Sequence, residues 1–258
     1  MQQLKRSIEK KKAELDRLRP LRPDALRNLV HYYDVELTYT SNAIEGNTLT
    51  HRETAELIEH GITVGGKPLR DHLEAEDHYQ AVRWMRELAS RDTPFGETTV
   101  TELHRRIVAR SKPEIAGFYS DHTRRIAGSA VVFPNPRKIP ELMDAFGRGL
   151  ETAPLSPASA FETHFRLTAI HPFSDGNGRT ARLLMNLMLL RGGYAPVAVR
   201  PEDRARYLDA LEQASLVDDL VPFQTLMHER LDATLEAYLN AFRDALPGPS
   251  ERDRPPAS

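Results

Sequence analysis

Apolar positions recur at helical spacing along nearly the whole chain. Leu4, Ile8, Leu15 and Leu18 punctuate an opening rich in Lys, Arg and Glu, predicting an exposed helix over 1–23 that ends at the Pro20/Pro23 break. From Asp24 onward, Leu26, Leu29, Val30, Tyr33 and Leu37 predict a second helix that packs on the core. Thr50 with Glu53 three residues on has the form of a capping box and starts a helix reaching Ile58 and His60, after which residues 61–68 are a turn-rich connector. The same periodicity predicts helices over 69–88, with Trp84 in the core, and over 99–108, 141–150, 159–170, 180–191, 203–215 and 222–246.

One stretch breaks the pattern. Residues 125–133 mix β-branched side chains with Gly128 and Ser129 and are closed off by Pro134 and Pro136, which predicts a short β-hairpin. Residues 247–258, made of prolines, charges and small side chains, read as a flexible tail. The expectation is an all-α fold with one small hairpin and an N-terminal helical extension.

Composition narrows the partners. The 258 residues are 40% hydrophobic, enough for one sizeable core. A net charge of -2 gives no global field for nucleic acid or an anionic membrane, so neither is expected as a partner. Cysteine is absent, which removes disulfides, thiol nucleophiles and thiolate metal sites. No apolar run approaches the roughly 20 residues of a membrane span, and the first 15 residues are charged rather than leader-like, so the expected address is cytoplasmic.

The chemistry is concentrated in residues 171–182, His-Pro-Phe-Ser-Asp-Gly-Asn-Gly-Arg-Thr-Ala-Arg, set between two helical runs. Gly176, Asn177 and Gly178 entering a helix expose backbone N–H groups at its positive end, an anion site suited to phosphate. Arg179 and Arg182, three apart, project from the first turn toward the same anion, which implies more than one phosphate. Asp175 is a ligand for a hard cation such as Mg²⁺, and His171 is the group that takes a proton near neutral pH. Together they predict phosphoryl or nucleotidyl transfer to a hydroxyl deprotonated by His171. Each residue alone has a bland role in a turn or on a helix surface; their joint order does not. A zinc site on His164 and His171 lacks a third ligand at a recognisable spacing, and the lysine-bearing phosphate loop is absent.

At every defining position, residues 171–182 resemble the HPFx(D/E)GNGRxxR signature of Fic-domain proteins. Ser41, Glu45 and Gly46 resemble the family's (S/T)xxxE(G/N) inhibitory motif, here ahead of the core, and the likeness spans most of residues 40–238. The resemblance implies an inhibitory helical region over 24–98, a Fic core over 99–246, and an enzyme moving AMP from ATP to a Ser, Thr or Tyr hydroxyl of a protein with Mg²⁺ or Mn²⁺. It assigns His171 as general base, Asp175 as metal ligand, and Phe173 as the anchor of the loop. Gly176, Asn177 and Gly178 become the anion hole, with Arg179 and Arg182 on the phosphates. Glu45 would occupy Arg182 in the resting enzyme. A flap around Ile126, Ala127, Gly128 and Ser129 would hold the target by main-chain pairing, and Tyr207 is the nucleobase candidate. Relatives often carry Arg where this chain has Ser120, and paired aromatics where it has Tyr207-Leu208. The resemblance also admits self-modification, a homodimer, removal of AMP from a modified protein, or a non-catalytic nucleotide-sensing role. A glycine at 178 argues against the kinase-like branch, which carries lysine there.

Overall fold

The computed structural model describes residues 1–19, 23–125 and 128–244. Ile126, Ala127 and the expected tail over 247–258 therefore lie outside the described residues. The described chain forms ten α-helices: α1 (Gln2–Arg17), α2 (Pro23–Ile44), α3 (His51–His60), α4 (Leu69–Ala89), α5 (Glu97–Ile107), α6 (Ile139–Glu151), α7 (Pro157–Ile170), α8 (Asn177–Arg191), α9 (Arg204–Val217) and α10 (Val221–Asp244). The architecture is all-α.

Helix α8 is the axis. Ala181, Leu183, Leu184, Met185, Leu187, Met188 and Leu189 point in every direction around it and are all buried, as expected of a helix that is apolar on all faces. Helices α7, α4, α5 and α2 pack around it. Its polar members need partners in the interior: the Asn186 amide donates to Val197 O at 3.0 Å and accepts from Val197 N–H at 2.7 Å. The motif therefore starts a helix that cannot move without the core.

The turn after α2 is tied down as well. The Thr50/Glu53 capping box forms as predicted, with Glu53 N–H donating to Thr50 Oγ1 at 3.2 Å and Thr50 N–H to Glu53 Oε2 at 2.7 Å. Thr48 donates its N–H and hydroxyl to the buried carboxylate of Asp71 on α4 at 2.8 and 2.6 Å. These bonds fix where α2 ends.

Two sequence expectations need correction. Helix α1 is docked rather than exposed: Ile8 and Leu15 are buried, and Leu4 and Leu18 pack on the same cluster. Charges that looked like a solvated face meet complementary charges on α10, with Lys11 2.9 Å from Asp232 and Glu14 2.6 Å from Arg243. The hairpin is also absent among the described residues, where the single isolated bridge joins Tyr119 and Phe173. Gly128 and Ser129 lie in a loop; Ser129 Oγ and Ala130 N–H both donate to Glu212 Oε1 of α9, at 2.9 and 3.0 Å. A carboxylate takes the donors that a partner strand would have used, and strands this short bounded by prolines gain little from pairing.

Candidate active site

His171 closes α7 in a left-handed conformation, φ 53° and ψ 54°, while its N–H still donates to Leu167 O at 3.0 Å. Such a backbone is uncommon outside glycine and is characteristic of constrained functional positions. The ring stacks on Phe133 at 4.0 Å, and Nδ1 lies 3.4 Å from Thr168 O. A proton assigned to Nδ1 on that basis leaves Nε2 as the acceptor. Burial holds the His171 pKa below the ordinary value, so the ring is neutral at pH 7.

Phe173 anchors the loop. Its ring is fully buried, 3.7 Å from and parallel to the His104 ring, with the Tyr119 ring tilted against it at 5.7 Å. Its backbone is clamped by Asn177, which accepts from Phe173 N–H at 2.9 Å and donates to Phe173 O at 2.8 Å. His104 accepts from Gly117 N–H at Nδ1, 3.0 Å, so its proton sits on Nε2, 3.0 Å from Asp175 O. Burial takes the His104 pKa down to about 4, which keeps that tautomer intact at neutral pH. Ser120 N–H donates to Pro172 O at 2.8 Å, completing the support.

Gly176 turns the chain into α8 at φ 75°, where a Cβ would also press on Ile107 and His104. The N–H groups of Asn177, Gly178 and Arg179 follow in the first turn, which has no intrahelical acceptors for them. This is a nest for an anion. Asp175 stands beside it: Oδ1 accepts from Gly176 N–H at 2.6 Å, while Oδ2 pairs with Lys112 Nζ and lies 3.4 Å from Arg179. Burial alone would raise the Asp175 pKa; Arg179, Lys112 and the Gly176 N–H outweigh it and hold it at about 2. Arg179 is itself buried, and its Nε and Nη1 have no hydrogen-bond acceptor among the described residues. Buried donors without acceptors are what an incoming phosphate would satisfy.

Arg182, one turn on, is fully engaged. Nε donates to Ser41 Oγ at 2.9 Å, Nη2 to Ser41 O at 3.0 Å and to Glu45 Oε1 at 2.6 Å, and Nη1 to Tyr207 OH at 3.3 Å. A Cβ on Gly178 would come within 2.6 Å of the Glu45 carboxylate and 2.9 Å of Arg182 Nη1, so a larger residue there would push on the Glu45–Arg182 pair. Gly46, at φ 92°, turns the chain away directly afterwards.

The fold thus gathers Ser41, Glu45, Gly46, His171, Asp175, Gly176, Asn177, Gly178, Arg179 and Arg182 at one end of α8. Tyr207, the nucleobase candidate, is buried beside Arg182. It is 1% exposed, its hydroxyl 2.9 Å from His164 Nε2. Burial takes the His164 pKa to about 3, so Tyr207 donates to a neutral imidazole and presents its oxygen to Arg182. Periodicity along α9 left open whether Tyr207 faced the site or the core; Arg182 draws its hydroxyl inward. Residues missed in the sequence are His104, Lys112 and Tyr119, while His164, weighed there as a zinc ligand, instead takes the Tyr207 hydroxyl. His104 carried a signal, recurring with Val100, Leu103 and Ile107 on one apolar face; Lys112 carried none.

Residues 94–189, which span α5 to α8 with the His171 loop, match the Fic/DOC family. The chain belongs to the Fic/DOC family. It is 36% identical over 206 residues to a protein adenylyltransferase Fic of Nematostella vectensis, covering 78% of this chain and 48% of that protein. It is 31% identical to the protein adenylyltransferase fic-1 of Caenorhabditis elegans, covering 85% of this chain and 44% of that one. The chain spans about half the length of these curated relatives. The solved C. elegans Fic-1 fragment superposes with a TM-score of 0.86 at 29% identity, covering 95% of this chain and 73% of that one. A Fic-domain signalling protein from Bacteroides thetaiotaomicron superposes with a TM-score of 0.83 at 28% identity, covering 92% and 97%. The Fic domain here thus comes with the helices on both sides of it.

Proposed function

We propose that this Fic protein transfers AMP from ATP to a hydroxyl side chain of a protein, and that Glu45 restrains it at rest. The observation that carries the reading is the convergence of a neutral His171, an amide nest and two buried arginines on the start of α8, in a chain similar to protein adenylyltransferases. In the proposed step the target hydroxyl passes its proton to His171 Nε2 while its oxygen bonds to the α-phosphorus. The bond from that phosphorus to the bridging oxygen breaks, and pyrophosphate leaves. Asn177 and Gly178 offer N–H groups to the phosphate, Gly176 N–H being held by Asp175, and the Arg179 guanidinium supplies donors that lack acceptors among the described residues.

The donor set suits a Mg²⁺ or Mn²⁺ ion. Among the described residues no three ligating side chains cluster, but Asp175 is an ionised carboxylate beside the nest, and one carboxylate with phosphate oxygens is how Mg²⁺ is commonly held. When bound, the ion would neutralise phosphate charge. Arg182 would reach the terminal phosphate once Glu45 withdraws.

The test is labelling with isotopic ATP. Glu45→Gly should label itself or lysate proteins strongly while wild type labels weakly; absence of labelling by both forms would refute the activity. One feature favours a second reading: the Glu45 side chain is 37% exposed and faces the same cleft, so it could orient water to remove AMP from a modified protein. Incubating modified target with metal but no ATP separates the two.

A further inference from the structure

Asp175 is paired with a cation that lies outside the twelve-residue motif. Lys112 Nζ sits against Asp175 Oδ2, the carboxylate oxygen opposite the one bound by Gly176 N–H. Arg179, at 3.4 Å, is the more distant partner. Lys112 is not a freely swinging surface lysine. The preceding N–H groups of Arg110 and Ser111 both donate at 2.9 Å to Asp77, a buried carboxylate of α4. Lys112 N–H continues from α5 to Val108 O at 3.0 Å, and Lys112 O accepts from Ile115 N–H at 3.2 Å. The backbone is pinned on both sides of the residue, so the ammonium is delivered to Asp175 by the fold.

The pairing mirrors the one at the far end of the site. Glu45, an anion from the turn after α2, lies on Arg182, where an anionic phosphate would otherwise go. Lys112, a cation from the segment after α5, lies on Asp175, where a divalent cation would go. A metal–nucleotide carries both charges and would displace both partners.

We propose that Lys112 is a tethered stand-in for the divalent cation at Asp175, so that the metal enters by competition and the site is locked at both of its charges. The inference rests on the reading of Asp175 as metal ligand given above. It makes Lys112 a positioning and threshold residue: it sets the metal concentration at which the site opens, without touching the transferred group.

The full chain can be titrated with Mn²⁺, following the free-ion electron paramagnetic resonance signal, with and without an ATP analogue that resists cleavage between the α- and β-phosphates. Lys112→Met should bind Mn²⁺ about fivefold more tightly than wild type, the scale set by a partly exposed ion pair. Lys112→Arg, which keeps the charge, should stay within about twofold of wild type on the same scale. Unchanged or weaker Mn²⁺ binding by Lys112→Met would overturn the proposal. Lys112→Gln, with thermal denaturation of each variant, guards against a folding defect confined to the Met form. Asp175→Ala separates the two levels: if it binds Mn²⁺ like wild type, the metal assignment itself is wrong and the role of Lys112 falls with it. If it loses the ion while Lys112→Met is unchanged, the lysine inference alone fails.

Discussion

Glu45 and Arg182 are 137 positions apart in the chain and 2.6 Å apart in the structure. Arg182 is 4% exposed, so its charge is removed from water and needs a counter-charge; the only question is which anion supplies it. In the structure it is Glu45, aided by both oxygens of Ser41.

Removing that carboxylate should release activity. Glu45→Gly is expected to raise AMP transfer at least about tenfold, a change of roughly 1.4 kcal/mol in the competition for Arg182. Ser41→Ala should raise it less, up to about fivefold, because one neutral acceptor is worth about 1 kcal/mol. Initial rates of isotopic labelling measure both; equal rates in all three forms would remove the restraint assigned to Glu45.

His171→Ala in the Glu45→Gly background should cut transfer by about 10²- to 10⁴-fold, the usual contribution of a general base. Binding of the ATP analogue should be retained. The pH profile of kcat/KM carries the complementary signal. Burial lowers the His171 pKa from 6.5, so the ring stays deprotonated as pH falls past 6.5 and the acid limb lies below it. A limb at or above 6.5 would contradict the buried setting.

Acid should weaken the fold before it reaches the carboxylates. His104 and His164 have folded pKa values of about 4 and about 3 against 6.5 when unfolded, so below pH 6.5 the unfolded chain binds protons that the folded chain refuses. Stability is full above pH 6.5 and declines as pH drops toward 4. By pH 5 each histidine should have cost about 2 kcal/mol. His78, buried and held well below 6.5, adds to the same slope. Urea unfolding at pH 7.5, 6 and 5 would show it; a flat profile would not fit neutral buried imidazoles.

Tyr207→Phe separates a structural role for that residue from a nucleobase contact. Loss of the hydroxyl leaves Arg182 Nη1 and His164 Nε2 short of a partner and should lower stability by about 1–3 kcal/mol. Preference for ATP over GTP should not change. A shift in nucleotide preference with unchanged stability would restore Tyr207 to the base site.

The helices were legible because their apolar residues repeat with the helical period, and residues 171–182 were legible because their chemistry is contiguous in sequence. Ser41 and Glu45 were found through resemblance to a family motif, since no spacing links them to Arg182. Lys112 was invisible for the opposite reason: an isolated lysine after a helix has no local pattern, and only Asp77 fixing the backbone before it gives it a role. Among the described residues the stretch from Gly128 is a loop rather than a strand, because β-branched residues near a glycine suit a loop pinned by Glu212 as well as they suit a strand. The docked face of α1 was hidden by its charges, which balance those of α10 instead of facing water.

Helix α9 touches three separate parts of the cleft. Arg204, its first residue, donates to Ile44 O at the end of α2 at 2.8 Å, Tyr207 meets Arg182, and Glu212 binds the loop at Ser129 and Ala130. These contacts recur along one helix, so the same element holds the loop at Ser129 and the carbonyl beside Glu45. One helix is thereby a shared wall for the end of α2, for the guanidinium of Arg182 and for the loop after Gly128.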